Sequence, residues 1–423
     1  MASTSALDPP PAGQDVDGLL ESLEGLAAGN IPPSLNDESK RLRLLEAARM
    51  ASFRLERPWD TMQRLTFCAL PPNIAQVGID LGLWAALAER KSDDAAAAAA
   101  SVGELAREVG AEEALLARLL RYAATQGMAE QVGPDAYRAT RITQYLAMAG
   151  MEALIFHVTE RNIALYNAIP KWLADNGYKQ PRDNRNLPFH LSQNTDLHFF
   201  EWLSRRPRHQ KAFNEYMSFQ RVGQKSWLDV FPLRQHVLDG DEDDGKGKDR
   251  IAFVDVGGGY GHQSREVLNR LPQLRDRIVL QDTHSAAIDS ARKELAGVTV
   301  VHHDFTTPQP VRGARVYYLR NILHDWPDEA CRVILSQLRD AMAPDSVILL
   351  DELVIRDGGD AHWYGASFDL LMMANYGARE RSLAEWDRML EAVGLERRNL
   401  VPYSPHGDAI QVISARAPVL ERL

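Results

Sequence analysis

Only two cysteines occur in the 423 residues, Cys68 and Cys331. They lie far apart and without metal-ligand spacing, so the chain has no disulfide framework and suits a reducing compartment. Long apolar runs are missing as well, and no segment reaches the length of a membrane span. The opening stretch MASTSALDPPPAGQD lacks both a basic start and an apolar core, which is not the pattern of a secretory signal. The expected location is cytoplasmic. Excess positive charge is absent too: 58 acidic residues outnumber 48 basic ones, and the net charge of -10 is spread along the chain. Neither a nucleic-acid backbone nor a membrane is an expected partner. What remains is a globular composition, 45% hydrophobic and 25% charged, in a chain long enough for two or three domains.

Residues 1–36 are rich in Pro, Gly, Ser and Asp and read as a disordered tail with one short helix near Leu19–Leu26. Residues 37–235 read as a helical region with a winged helix-turn-helix inside it. Helix spacing runs through Leu42, Leu45 and Phe53 and closes at Pro58. Pro71-Pro72 predicts a turn, followed by one amphipathic helix through Ile74, Val77, Leu81 and Trp84. The tract DDAAAAAA over 93–100 reads as a surface insertion. Two short helices then meet at Gly110, and a hairpin turns at Gly133-Pro134-Asp135. The second of these helices, EEALLARLLRYAAT, opens with two glutamates and is mostly apolar, so the module reads as structural and not DNA-reading. Aromatic residues crowd 150–235; most belong in a core, and some could line a pocket for a flat apolar ligand. Residues 236–249 form a charged linker. From 250 to 423, strands are expected at 251–256, 277–281, 298–301, 315–319, 347–353 and 410–415, with helices near 261–270, 285–296, 328–342, 361–376 and 382–393. That alternation predicts an α/β domain with a doubly wound, mainly parallel sheet.

The first strand of this domain runs into FVDVGGGYGHQSREVL, where Gly257, Gly258, Gly259 and Gly261 let the backbone approach a ligand. Asp282 closes the next strand at the spacing of an acid that accepts from a ribose hydroxyl. A nicotinamide dinucleotide would want G-x-G-x-x-G, but His262 or Ser264 occupies the third position. Asp255 places a carboxylate before the loop, where an ammonium is welcome and a pyrophosphate is not. Asp304, ending HHDF, could accept from an adenine amino group. These features favour S-adenosylmethionine over NAD. Neighbouring residues at a strand end point to opposite faces, so His302, His303 and Asp304 converge poorly on a metal ion. No metal is expected.

RNILHDWPDE sets His324 beside Asp325 where an apolar strand ends and a helix begins, the place where open α/β sheets put their chemistry. Taken alone, such a histidine would cap or pack a turn. With DVGGGYGH, LQD, HHDF, YYLRNILHDWPDE, LLDELV and GARERS in order, the chain resembles the S-adenosylmethionine-dependent O-methyltransferases of the caffeate and flavonoid type, and most closely their fungal, sterigmatocystin O-methyltransferase-like branch. The likeness covers about Leu70 to Pro418. It implies a Rossmann-like methyltransferase domain preceded by an all-helical and winged-helix dimerisation domain, in an intertwined homodimer.

The resemblance further implies that Gly257 to Gly261 form the donor loop, with Asp282 on the ribose and Asp304 and Phe305 beside the adenine. Arg320 stands where many relatives carry lysine, a change that keeps the charge but not the shape. His324 matches the general base, flanked by Glu352 and Glu380. The implied reaction is transfer of a methyl group to a phenolic or enolic hydroxyl of an aromatic or polyketide-type secondary metabolite, leaving S-adenosylhomocysteine. Asp325 either touches substrate or donor or helps cap the following helix. Met372, Met373 and Asn375, in FDLLMMANYG, are core or shape the acceptor pocket. His157 is structural or serves the pocket. An alternative keeps the bound donor but performs pericyclic or dehydrative ring chemistry; fungal relatives of that kind have altered the histidine of the H-D pair, which is intact here. A third reading, a DNA-binding regulator, is disfavoured by charge and by the intact donor motifs.

Overall fold

A computed structural model describes residues 16–90, 98–181, 183–219, 225–238, 250–356, 362–404 and 407–416. The expectations for residues 1–15, for 93–97 of the alanine tract and for 239–249 of the linker lie outside the described residues. The chain divides into two compact units, Met1–Cys68 and Ala69–Leu423.

The first unit contains helices α1 (Val16–Ala27), α2 (Glu38–Leu55) and α3 (Pro58–Thr66). Asp37 caps α2 by accepting from the amides of Ser39 and Lys40. Pro58, expected to close a segment, also opens α3, where its missing N–H costs nothing. Phe53, Trp59 and Met62 of this unit are exposed.

The second unit begins with α4 (Leu70–Asp80) and α5 (Leu83–Ala88). Pro71 and Pro72 lie in the first turn of α4 and do not form a turn ahead of it. The single helix expected through Trp84 is broken at Gly82, whose φ of 71° is left-handed. Strand β1 (Ala100–Ser101), helices α6 (Val102–Val109) and α7 (Glu113–Thr125), and strands β2 (Glu130–Gly133) and β3 (Ala136–Arg138) make the winged helix, with sheet order β1-β3-β2. Ala100, placed by the sequence in an insertion, is a buried strand residue paired with Tyr137. Helix α7 turns Leu116 and Leu120 fully into the core. Next come α8 (Arg141–Leu146), α9 (Ala149–His157), a π-helical turn at Val158–Asn162, α10 (Ile163–Asp175), α11 (Pro188–Gln193), α12 (Phe199–Ser204), α13 (Pro207–Phe219) and α14 (Leu233–Leu238).

The large sheet is built from β4 (Phe253–Val256), β5 (Ile278–Asp282), β6 (Val298–His302), β7 (Val316–Arg320), β8 (Val347–Ile355), β9 (Arg381–Ser382), β10 (Leu395–Pro402) and β11 (Asp408–Ala415). Its order is β10-β11-β8-β7-β4-β5-β6, with β9 paired to β8. The strands from β8 to β6 are parallel, while β10 and β11 are antiparallel additions. Helices α15 (His262–Arg270), α16 (Ser285–Glu294), α17 (Asp328–Ala341), α18 (Trp363–Tyr376) and α19 (Leu383–Ala392) connect them. Alternation along β4 feeds both faces: Val254 and Val256 join Leu335 and Trp386 in one core, and Phe253 joins Trp227 and Val267 in the other. The expected doubly wound domain is therefore present. β10 escaped the sequence reading because LERRNLVP carries the charges of an edge strand. Among the described residues no helix is long and apolar enough to cross a membrane.

β4 lies between β5 and β7, so connections leave it in opposite directions and open a crevice at the carboxyl ends of the strands. The loop after β4 is tight: Gly261 has φ 74°, and a Cβ there would lie 2.4 Å from Leu295 and 2.6 Å from Leu280. Gly261→Ala should lower the free energy of unfolding by about 1–3 kcal/mol through strain and overpacking. A urea-denaturation midpoint equal to that of the unmodified protein would contradict this account of the loop.

Candidate active site

His324 lies on a short 3-10 turn, Leu323–Asp325, directly after β7, and is 6% exposed. Its Nδ1 is 2.8 Å from Oε1 of Glu380. Nδ1 donates to this carboxylate, which leaves Nε2 outside that hydrogen bond. Asp325 Oδ1 stands 3.6 Å from Nε2, beyond hydrogen-bond range. Phe368 of α18 lines the ring at a centroid distance of 5.9 Å. Glu380 is oriented in turn, because its backbone N–H donates to Asp369.

Glu352, expected beside the histidine, grips the backbone under it: Oε1 accepts from the amides of Ile322 and Leu323 at 3.1 and 2.9 Å. Its other oxygen, Oε2, is buried without a hydrogen-bond partner. From the opposite side Arg381, fully buried, donates to the carbonyls of Leu323 and Trp326 and pairs with Asp328. Asn321, with φ 51°, starts the turn in a conformation that asparagine tolerates better than most residues.

Burial alone would push the His324 imidazole down, but the Glu380 and Asp325 carboxylates outweigh it and raise the pKa to about 10. Burial also raises Asp325 to about 6 and Glu352 to about 7, against the opposing pull of His324. Raised above its unfolded value of about 6.5, the histidine contributes stability that is complete below that pH. The contribution is lost as pH rises through about 10.

Beside this cluster the glycine loop is spent on its own neighbours. The amides of Gly257 and Gly258 donate to the Gln281 carbonyl, and that of Gly259 to Asp282 Oδ2. Those three N–H groups are thus not offered to a pyrophosphate, as a dinucleotide site would require. A Cβ on Gly259 would meet nothing within 4 Å, so space is open over the loop. Asp255 does not face that space. Its carboxylate is sealed beneath Gly258, accepts from the amide and hydroxyl of Ser264, and is raised to about 6 by burial. Asp282 is half-exposed at the end of β5, with Oδ1 accepting from the His284 amide. Asp304 is exposed and bonds Thr306, and Phe305 packs edge-on to Trp326. Arg320 turns toward Asp351, which is buried and accepts from Tyr318 and Tyr403. The open loop, the ribose-spaced carboxylate and the half-buried aromatic form a cradle that fits an adenosyl group.

Met372 packs with Phe199 and Trp202 in an aromatic core, Met373 is half-buried beside it, and Asn375 is buried. Asn375 joins His157 through Arg161, whose guanidinium bonds both. Sequence reasoning had not singled out Arg161, Asp369 or Arg381. Arg161 follows His157 by one helical turn, and Asp369 is a lone acid inside an apolar stripe; both were readable signals. Among the described residues no group of three or more His, Cys, Asp or Glu side chains is placed to hold a metal.

Profiles described as an O-methyltransferase domain and an O-methyltransferase dimerisation domain match residues 248–396 and 64–149. A demethylsterigmatocystin 6-O-methyltransferase of Aspergillus flavus is 34% identical over 360 residues, covering 85% of this chain and 89% of the relative. The solved structure of LepI complexed with S-adenosylmethionine superposes with a TM-score of 0.83 at 30% identity, covering 95% of this chain and 99% of that one. A structure described as a pericyclic reaction enzyme matches with a TM-score of 0.82 at 30% identity and the same coverage.

Because Glu380 is the first carboxylate opposing burial at His324, Glu380→Gln should lower the imidazole pKa by roughly 1–3 units. The measurement is an NMR titration of the His324 ring. An unchanged midpoint would assign the raised basicity to another group.

Proposed function

The chain belongs to the family of S-adenosylmethionine-dependent O-methyltransferases, and from that premise we propose that it methylates a phenolic or enolic hydroxyl of an aromatic, polyketide-type secondary metabolite with His324 as general base. The buried His324–Glu380 pair, with Nε2 left over at the crevice, carries this reading. Gly257, Gly258, Gly259 and Gly261 would shape the donor cradle, Asp282 hold the ribose, Asp304 and Phe305 flank the adenine, and Arg320 add its charge. Bound S-adenosylmethionine supplies a methyl carbon made electrophilic by its sulfonium and leaves as S-adenosylhomocysteine.

The acceptor oxygen needs a free lone pair at the moment of attack. A phenol loses its proton near pH 10, and the imidazole held at about 10 matches it, so exchange of that proton is nearly balanced. Glu380 keeps Nδ1 protonated and stabilises the imidazolium that forms, in the manner of the acid of a catalytic triad. Glu352 acts on backbone, fixing the turn. Asp325 is near enough to tune the charge at Nε2 without bonding it. Activity needs one proton fewer than the resting pair of imidazolium and neutral phenol, so the acid limb of the kcat/KM profile should lie above the usual histidine range. Ring chemistry without methyl transfer is the second reading, supported by the pericyclic neighbour and by the buried pairing of His157 with Arg161. The intact His324 supports transfer. A cytoplasmic homodimer belongs to the same proposal, supported by the dimerisation profile and by the exposed apolar residues of α2 and α3.

His324→Ala should cut turnover by roughly 10²–10⁴-fold at neutral pH, with the loss shrinking as pH rises and the phenol ionises unaided. Donor affinity by calorimetry should be nearly unchanged in that variant, while Asp282→Ala should lose at least about 1 kcal/mol of it. Neutral-pH turnover equal to the unmodified enzyme would reduce His324 to a structural residue. Substrate consumed without gain of a methyl mass would favour ring chemistry. In sedimentation, a species near twice 47.3 kDa is expected, and an active monomer would defeat the dimer.

A further inference from the structure

Arg161 is 2% exposed, yet among the described residues no carboxylate pairs with it. Its partners are neutral. Nη1 donates to Asn375 Oδ1 at 2.5 Å, and Nη2 donates to Asn162 Oδ1 and to His157 Nε2, each at 2.6 Å. A guanidinium can only donate, so His157 accepts at Nε2 and carries its proton on Nδ1. That N–H and the N–H at Arg161 Nε are both buried without a partner. The surroundings are rings: Phe199 lies 4.8 Å under the guanidinium, and Phe213 and Tyr216 flank His157. Burial pushes Arg161 down to about 10, which leaves it charged at neutral pH, and holds His157 near 2, which leaves it neutral.

An uncompensated buried cation costs several kcal/mol. Clamping α18 does not require it, since a neutral amide could donate to Asn375 equally well. The π-helical turn Val158–Asn162 that carries Arg161 is a distortion of the kind concentrated at functional sites. The location fits as well, because Asn375, which Arg161 bonds, lies on α18. The same helix presents Phe368 to His324.

We propose that Arg161, with the Nδ1–H of His157, binds a second oxygen of the acceptor, one that is anionic or a strongly polarised carbonyl beside the hydroxyl to be methylated. This rests on the acceptor-site reading above and narrows it to a phenol with a neighbouring carboxylate or carbonyl, or an enolised dicarbonyl. The second oxygen supplies the countercharge that the described residues omit, and the nucleophilic oxygen stays with His324. A plain phenol leaves the guanidinium unpaired.

The test measures binding, so it does not depend on methyl transfer. In the presence of S-adenosylhomocysteine, calorimetry compares a hydroxynaphthoate, its carboxylate next to the hydroxyl, with the parent naphthol. The full-length protein should prefer the hydroxynaphthoate by at least about ten-fold, the worth of a charge-assisted pair. Arg161→Gln should bring the ratio close to one, and Arg161→Lys should keep part of it, with S-adenosylhomocysteine affinity and near-UV circular dichroism reporting the fold. Equal affinity of the unmodified protein for both probes, or binding of neither, overturns the proposal even if a variant fails to fold. So does an unchanged preference in a folded Arg161→Gln. Anion preference without methyl transfer would sink the transferase mechanism and leave this site standing, and methylation without preference would do the reverse.

Discussion

The turn Leu323–Asp325 is held from both sides, and the placement of His324 depends on that grip. Three residues of 3-10 helix have too few internal hydrogen bonds to fix a side chain. Glu352 takes the amides of Ile322 and Leu323, and Arg381 takes the carbonyls of Leu323 and Trp326. Asn321, at φ 51°, starts the turn in a conformation that costs of order 1–3 kcal/mol for a residue other than glycine. Its amide donates to the Asp351 carbonyl, which ties the strained residue to β8. Arg381 follows Glu380 directly, and β9 pairs with β8 at Val354. A strand of two residues therefore braces the turn and presents the carboxylate to His324 in one register.

The charge balance follows from the same packing. Asp325, Glu352 and Glu380 surround His324, while Asp255 is buried beneath the neighbouring glycine loop and Asp282 stands half-exposed at its edge. Burial resists ionising this many acids, and the raised values at Asp255, Asp325 and Glu352 express that resistance. A sulfonium entering such a field is attracted, while a pyrophosphate is repelled. The Glu380 and Asp325 carboxylates hold the proton on His324 against the cost of burial, and Glu352 adds to their field.

The catalytic domain was legible in the sequence because its strands are continuous apolar runs ending in polar residues. Residues 251–256 and 315–319 read as buried strands, and the glycines and acids near their ends could be placed in order. The winged helix was legible for a similar reason, since Gly110 and the hairpin at Gly133 are strong local signals. Elements decided by packing were less visible. β10 carries charges in the manner of an edge strand, Ala100 is a strand residue because Tyr137 lies opposite, and Gly82 splits a helix that periodicity alone would continue. Asp255 was misjudged because sequence gives proximity along the chain, whereas the carboxylate turns under the loop to Ser264. Glu352 was read as flanking the histidine, but its hydrogen bonds go to backbone, a distinction that spacing does not carry. Arg161 follows His157 by one helical turn, a signal the sequence offers, but its lack of a carboxylate partner among the described residues shows only in the fold.

On the proposed reading, Arg161 and His324 divide the acceptor's chemistry between them. If one cation held the attacking oxygen, it would also withdraw the electron density needed for attack. Assigning the guanidinium to a second oxygen avoids this: the anion is bound and the nucleophile keeps its lone pair. Arg161 cannot neutralise itself at neutral pH, so its unfavourable burial is relieved only when an anionic or strongly polarised oxygen arrives. On that reading, acceptors with two oxygens are favoured over simple phenols, because only they offer the guanidinium a partner. The same field would also stabilise negative charge developing in a ring during rearrangement. A scaffold of this kind can therefore support ring chemistry with the donor merely present. Which outcome prevails is set at His324. A base that frees an oxygen lone pair toward the methyl carbon commits the site to transfer, and a group that only holds charge leaves the methyl in place.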